Sequence, residues 1–122
     1  MTTKYGYSTE SWYAAKEEMR EILAIRARLK GMIPYSELVG RIETISMEPD
    51  SYALAHMLGE ISGEEDAAGR GMLSVIVVHK LGDMQPGPGF FQLAKKLGRD
   101  TSDILTCWIE ELKHVQGYWS EG

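Results

Sequence analysis

The sequence predicts a mostly helical fold of five helices with one small β element. Apolar residues recur with helical spacing along most of the chain, whereas residues 72–78 are almost continuously apolar and rich in β-branched side chains. The length of 122 residues is typical of one domain, and 43% hydrophobic with 25% charged residues is ordinary for a globular protein. We therefore expect an N-terminal arm over residues 1–8 and a single domain over residues 9–122.

The first helix is predicted to run from Thr9 to Lys30. Ser8 and Thr9 are favourable N-cap residues, and Gly31 is a frequent residue type just after a helix. At about 100° per residue, one face of this helix is apolar and should be buried. Its members are Trp12, Ala15, Met19, Ile22, Leu23 and Leu29.

Two shorter helices are predicted next. Pro34 and Ser36 should open the second helix, whose inward residues are Leu38, Val39 and Ile42. Pro49 and Asp50 should open the third helix, and Gly63 with the acidic residues after it should end it. The third helix has apolar residues spaced i, i+3, i+4 and i+7, namely Leu54, Met57, Leu58 and Ile61.

Residues 72–78 predict a short strand that is buried on both faces. A return strand is not obvious, because Pro86 and Pro88 interrupt the segment that follows. Pairing with the same strand of a second copy would also cover the edge, so a homodimer is one of the two arrangements that this strand allows.

Two further helices complete the prediction. The fourth should end at Gly98, and its apolar residues are Phe90, Leu93, Ala94 and Leu97. The fifth should begin near Thr101, with Asp100 or Thr101 as its cap, and its apolar face comprises Ile104, Leu105, Trp108, Leu112, Val115 and Trp119. We expect the first and fifth helices to pack together as the long walls of the core.

The order of one long helix, two short helices, an apolar strand and a Gly/Pro-rich loop resembles the winged helix-turn-helix superfamily over roughly residues 9–92. The segments GMLSVIVVHK and PGPGFFQLAKKLG also resemble a pattern in small bacterial proteins of unknown function. These resemblances imply a winged-helix-like domain and assign no activity to it.

A further similarity is to the DNA-binding domain of alkylguanine alkyltransferases. Those enzymes have a Pro-Tyr before the second helix, as at Pro34-Tyr35, and a Val-Val before a glycine-rich loop, as at Val77-Val78. They carry a reactive Pro-Cys-His-Arg just before the valines, where this chain has Leu73-Ser74-Val75-Ile76. Because the nucleophilic cysteine is missing, the resemblance does not imply their chemistry.

The net charge of −5 disfavours a general nucleic-acid binder, because cationic contacts to phosphates supply that affinity. Residues 42–69 contain no Lys or Arg, and the outward face of the third helix is composed of Tyr52, Ala55, His56 and Gly59. A flat face of this kind suits contact with another protein. With the loop over residues 82–89, which includes Met84 and Gln85, it is the predicted protein-binding surface of a non-catalytic module.

The alternative function is DNA binding through residues 70–99, which carry five Lys or Arg against one Asp. The candidate contacts are Arg70, His79, Lys80, Lys95, Lys96 and Arg99. If all five full charges engaged B-DNA, affinity would fall with salt with a logarithmic slope of about −4.5 at most. A solvated strand end followed by lysines at a helix C-terminus explains the same charges and is the favoured interpretation.

The third interpretation is a metal or enzymatic site on the fifth helix. Residues of metal-binding type recur on its polar side, namely Asp103, Cys107, Glu110, Glu111 and His114. Closed zinc sites use more Cys and His, and an exposed polar helix face explains the same spacing. No Ser–His or Cys–His arrangement and no phosphate-loop motif is recognisable, so we predict no catalysis and no bound metal or cofactor.

The cellular location is predicted from cysteine usage and hydropathy. Cys107 is the single cysteine, which excludes an internal disulfide, and the N-terminal residues contain no apolar segment of signal-peptide type. No apolar run is long enough to span a membrane. A cytoplasmic protein is therefore expected.

Overall fold

The computed structural model describes residues 3–79 and 86–121, and it confirms a mostly helical chain with a small β content. The described helices are α1 (Thr9–Arg28), α2 (Tyr35–Arg41), α3 (Tyr52–Ala67), α4 (Pro88–Lys96) and α5 (Ile104–Glu121). The described strands are β1 (Thr3–Lys4), β2 (Tyr7–Ser8), β3 (Ile33–Pro34) and β4 (Val77–Val78). None of the described helices combines the length and the hydropathy that crossing a membrane requires.

Residues 3–8 of the predicted arm form a β-hairpin that packs on the helices. β1 and β2 pair antiparallel, and the turn residues Tyr5 and Gly6 have φ values of 53° and 87°, as a two-residue type I′ turn requires. The Tyr7 hydroxyl donates to the Ser46 carbonyl over 2.7 Å, which fastens the hairpin to the segment between α2 and α3.

α1 begins where the sequence predicts it, because the Ser8 hydroxyl accepts from the Ser11 amide over 3.1 Å and caps the helix. Four residues of its predicted apolar face are completely buried, namely Trp12, Ala15, Met19 and Leu23, and so is Ala27, one turn further along the same face. The prediction for Leu29 is wrong, since its side chain is 75% exposed. α1 ends at Arg28, so Leu29 lies beyond the regular turn and leaves the helical face.

The apolar segment 72–78 is buried as predicted, but most of it is not a strand. Leu73–Ile76 form a 3-10 turn, and only Val77–Val78 pair with another strand, parallel to Ile33–Pro34. The turn packs against α1, α3 and α5 at the centre of the core, and this burial outweighs the β propensity of its residues. β3 pairs with one edge of β4, and both residues of β4 are buried, so covering this strand does not require a second copy.

The end of α3 and the start of α5 differ from their predictions. α3 continues through Gly63 to Ala67, because the carboxylates after Gly63 form ion pairs with residues of α1 and with later arginines. α4 begins at Pro88, which occupies the first helical position. α5 begins at Ile104, and Asp103 rather than Asp100 or Thr101 accepts from the amide of the first turn, at Thr106 over 3.2 Å.

α1 and α5 pack along each other, as predicted for the two long helices. The apolar face predicted for α5 is only partly right, because Ile104 is 50% exposed and Leu105 is exposed to a similar extent. Val115 is fully buried, and Cys107 and Glu111, which were expected on the polar side, are buried with it. The helix is therefore rotated towards its predicted polar side.

A polar network fastens α5 to the turn after α3. The Glu111 carboxylate accepts from the Met72 amide over 2.8 Å and from Arg99 Nε over 3.0 Å, and Arg99 also forms an ion pair with Asp66. Gly71 has φ 87°, and a Cβ there would lie 2.6 Å from His114 Cδ2. α5 thus approaches the backbone so closely that only glycine fits.

Candidate binding cleft

A cleft of about 510 Å³ opens between the first half of α3 and the start of α4. Its walls are mainly apolar, with Leu54 and Leu58 from α3 and Phe90 and Leu93 from α4. The volume lies within the range of roughly 300–1,000 Å³ that is usual for ligand sites. The cleft is therefore large enough for a small ligand or for an anchoring side chain of a partner.

Tyr35 and His79 form another part of the cleft wall, and their ring centroids are 5.0 Å apart. The Tyr35 hydroxyl accepts from the Gly87 amide over 3.0 Å and holds the start of α4 against α2. Burial raises the pKa of Tyr35, and the Gly87 bond opposes this only in part. The Tyr35 hydroxyl therefore stays protonated and remains a hydrogen-bond donor at neutral pH.

Ser74 also lines the cleft and is 7% exposed. The Ser62 hydroxyl donates to Ser74 Oγ over 2.6 Å, and the Ser74 amide donates back to Ser62 Oγ over 2.9 Å. Within residues 3–79 and 86–121, the side-chain partner of Ser74 is thus another hydroxyl and not a histidine or carboxylate. This arrangement provides no base that could activate Ser74 as a nucleophile.

The N-terminal hairpin supports the rim of the cleft. The Tyr5 ring stacks on His56 with centroids 4.5 Å apart, and Glu60 accepts from Lys4 over 2.7 Å and from Lys16 over 3.2 Å. Burial alone would raise the pKa of Glu60, but these cations and the Trp12 indole outweigh it and hold the pKa below its ordinary value. The Glu60 carboxylate therefore lines the cleft as the partner of two lysines and not as an unpaired charge.

Four of the six predicted protein-binding residues fall in or beside this cleft. Ala55, His56 and Gly59 line it, and Tyr52 is 83% exposed at the start of the same helix. Met84 and Gln85 lie outside the described residues. Tyr35 and His79 are absent from the predicted protein-binding surface. The parallel pairing of Ile33–Pro34 with Val77–Val78 brings them together, and no sequence pattern indicates that pairing.

The structure describes five of the six predicted DNA-binding residues, and these five make different contacts. Arg70 is paired with Glu65, and Arg99 is paired with Asp66 and Glu111. His79 lies in the cleft wall, Lys80 is outside the described residues, and the exposed cations of α4 are Lys95 and Lys96. Two of the six predicted contacts are therefore engaged in holding the fold together.

The residues considered for a metal site on α5 are separated by burial. Cys107 is 4% exposed, which corrects its expected place on a solvent-facing surface, and burial raises the pKa of its thiol. Glu111 is buried and bound to Arg99, whereas Asp103, Glu110 and His114 are exposed. Among the residues that the structure describes, no group of three or more His, Cys, Asp and Glu could hold a metal ion.

Comparisons with protein-family models, with curated proteins and with solved structures find no match to this chain. The function must therefore be argued from the cleft and its surroundings.

Proposed function

We propose that this chain is a non-catalytic module that binds another protein, and that the cleft between α3 and α4 receives an anchoring side chain of the partner. The observation that carries the proposal is an apolar cleft with a highly exposed aromatic residue, Tyr52, beside it. Interfaces depend on a few anchors that fill well-packed pockets, and exposed tyrosines are enriched around them.

The surface around the cleft also supports this proposal. Ala55 and Gly59 are small, so the rim allows the backbone of a partner to approach α3 closely. Ser74 has no described base, and the arginines at either end of the basic segment are paired internally. These contacts favour binding over catalysis and protein over DNA. A cytoplasmic location, based on the single buried cysteine, is part of the same proposal.

The proposal is tested with a random short-peptide library displayed on phage and selected on the immobilised protein. Ala55→Trp places an indole at the rim of the cleft, and Ala67→Trp places the same group on an exposed site at the end of α3. Selected peptides should bind the wild type and Ala67→Trp equally. They should bind Ala55→Trp at least about 30-fold more weakly, as expected for loss of an anchor worth ~2 kcal/mol.

Two results would overturn the proposal. One is a selection that enriches no peptide above an uncoated surface. The other is a set of binders whose affinity is the same for wild type and Ala55→Trp, provided that circular dichroism shows both variants to be folded.

A further inference from the structure

The chemistry of the cleft allows its occupant to be specified further, in an inference that rests on the proposed function. We infer that the partner segment is a basic peptide whose anchor is a tryptophan or tyrosine side chain. Three observations carry this inference, namely the apolar walls, the two hydroxyl groups that line the cleft and the exposed carboxylates beside it.

The walls favour a large, flat anchor. Leu54 and Leu58 face the cleft from α3, and Phe90 and Leu93 face it from α4. Aromatic side chains bury more apolar area than aliphatic ones and lose little rotamer freedom when they bind. The ring of Phe90 also offers an edge-to-face contact to an incoming aromatic group.

Two hydroxyl groups that line the cleft favour an aromatic ring with a polar tip. Tyr35 Oη accepts one hydrogen bond from Gly87, and Ser74 Oγ accepts one from Ser62. A hydroxyl can accept two hydrogen bonds and donate one, so on these described partners both oxygens retain unused capacity. A leucine or phenylalanine anchor would bury that capacity without a partner, whereas an indole N–H or a phenol O–H would use it.

The mouth of the cleft favours basic residues around the anchor. Asp50 lines the cleft, Glu48 lies two residues before it, and both are exposed. Among the described residues neither has a cation at ion-pair distance, whereas the four acids of α3 are paired with Lys4, Lys16, Arg20, Arg70 and Arg99. The positive end of α3 offsets part of this charge, so the attraction should be modest and sensitive to salt.

The same peptide selection distinguishes this inference from the proposed function. Enriched peptides should share one Trp or Tyr with Lys or Arg on either side. Cleft-dependent peptides with aliphatic or phenylalanine anchors, or with acidic flanks, would overturn the inference and leave the proposed function standing. A selection without any cleft-dependent peptide would overturn both.

Synthetic peptides then test each feature separately by fluorescence polarisation. The parent peptide has one Trp flanked by lysines. Two variants of this peptide replace Trp by Phe or every Lys by Glu. The parent should bind at least about fivefold more tightly than the Phe peptide, and Tyr35→Phe should reduce that ratio. Equal binding of both peptides, or an unchanged affinity ratio between them in Tyr35→Phe, would contradict the role of the Tyr35 and Ser74 hydroxyls.

The charge component is tested with two double variants of equal charge. Glu48→Lys with Asp50→Lys should weaken the parent peptide several-fold at low salt and less at high salt. Glu110→Lys with Glu121→Lys changes two exposed acids of α5, outside the cleft, and should have little effect. Equal weakening by both pairs would show a general effect of net charge and would overturn the assignment of the basic flanks.

Discussion

Arg99→Ala separates a structural role of this residue from a role in DNA binding. In the fold, Arg99 bonds Glu111 through Nε over 3.0 Å and through Nη2 over 3.1 Å, and it also pairs with Asp66. Glu111 is 6% exposed, so removal of the guanidinium leaves a nearly buried carboxylate whose one remaining donor among the described residues is the Met72 amide.

The magnitude follows from the burial of the partners. Breaking a fully buried ion pair costs about 3–5 kcal/mol, but the Arg99 and Asp66 side chains are each about a quarter exposed, which reduces the figure. We expect Arg99→Ala to lower the free energy of unfolding by about 2–3 kcal/mol. With a urea m-value of ~1–2 kcal/mol/M, the midpoint should fall by roughly 1–3 M.

The assay is equilibrium urea unfolding followed by circular dichroism at neutral pH. Lys95→Ala is the control, because this lysine is exposed in the last turn of α4 and should change stability by less than about 0.5 kcal/mol. A midpoint for Arg99→Ala that equals that of the control would refute the structural role and return Arg99 to the candidate DNA contacts.

Three further predictions concern pH, a glycine and the basic helix end. The pKa of Glu60 is held below its ordinary value. The stability that Glu60 contributes is therefore present above the unfolded pKa of about 4.3 and is lost as pH falls through the folded pKa. The urea midpoint should drop between about pH 5 and 3, and a constant midpoint would contradict this. Gly71→Ala should cost about 2–4 kcal/mol of stability, because the new Cβ adds a steric conflict to the positive φ. Gly69→Ala has a positive φ too, but its Cβ would meet no described atom within 4 Å, so it should cost about 1–2 kcal/mol. Equal losses in urea unfolding would refute the close approach of α5. A duplex gel shift should show no complex at physiological salt, and a complex that Lys95→Glu with Lys96→Glu abolishes would instead support the DNA alternative.

The helix faces were predictable where local spacing and burial agree. The apolar spacing of Leu54, Met57, Leu58 and Ile61 in α3 corresponds to a buried or nearly buried stripe. The predicted start of α5 is too early, because Asp103 and not an earlier residue caps the helix. Burial of Cys107 and Glu111 depends on packing against Arg99 and the turn after α3, which periodicity does not contain.

The cleft was only half predictable for a similar reason. Ala55, His56 and Gly59 share one face of a helix, so their grouping follows from sequence spacing alone. Tyr35 is far from Ser74 and His79 in the chain, and the pairing of β3 with β4 brings it to the same cleft. β propensity suggested a longer strand at this point, whereas the core imposes a 3-10 turn that puts Ser74 in the cleft wall.

The most direct test of the binding cleft is a map of backbone amide shifts by NMR when the tightest selected peptide is added. We expect the largest shifts to cluster in residues 52–60 and 87–93, on the two sides of the cleft. Shifts concentrated on α5 or around Lys95 and Lys96 would place the binding surface elsewhere and contradict a binding role for the cleft.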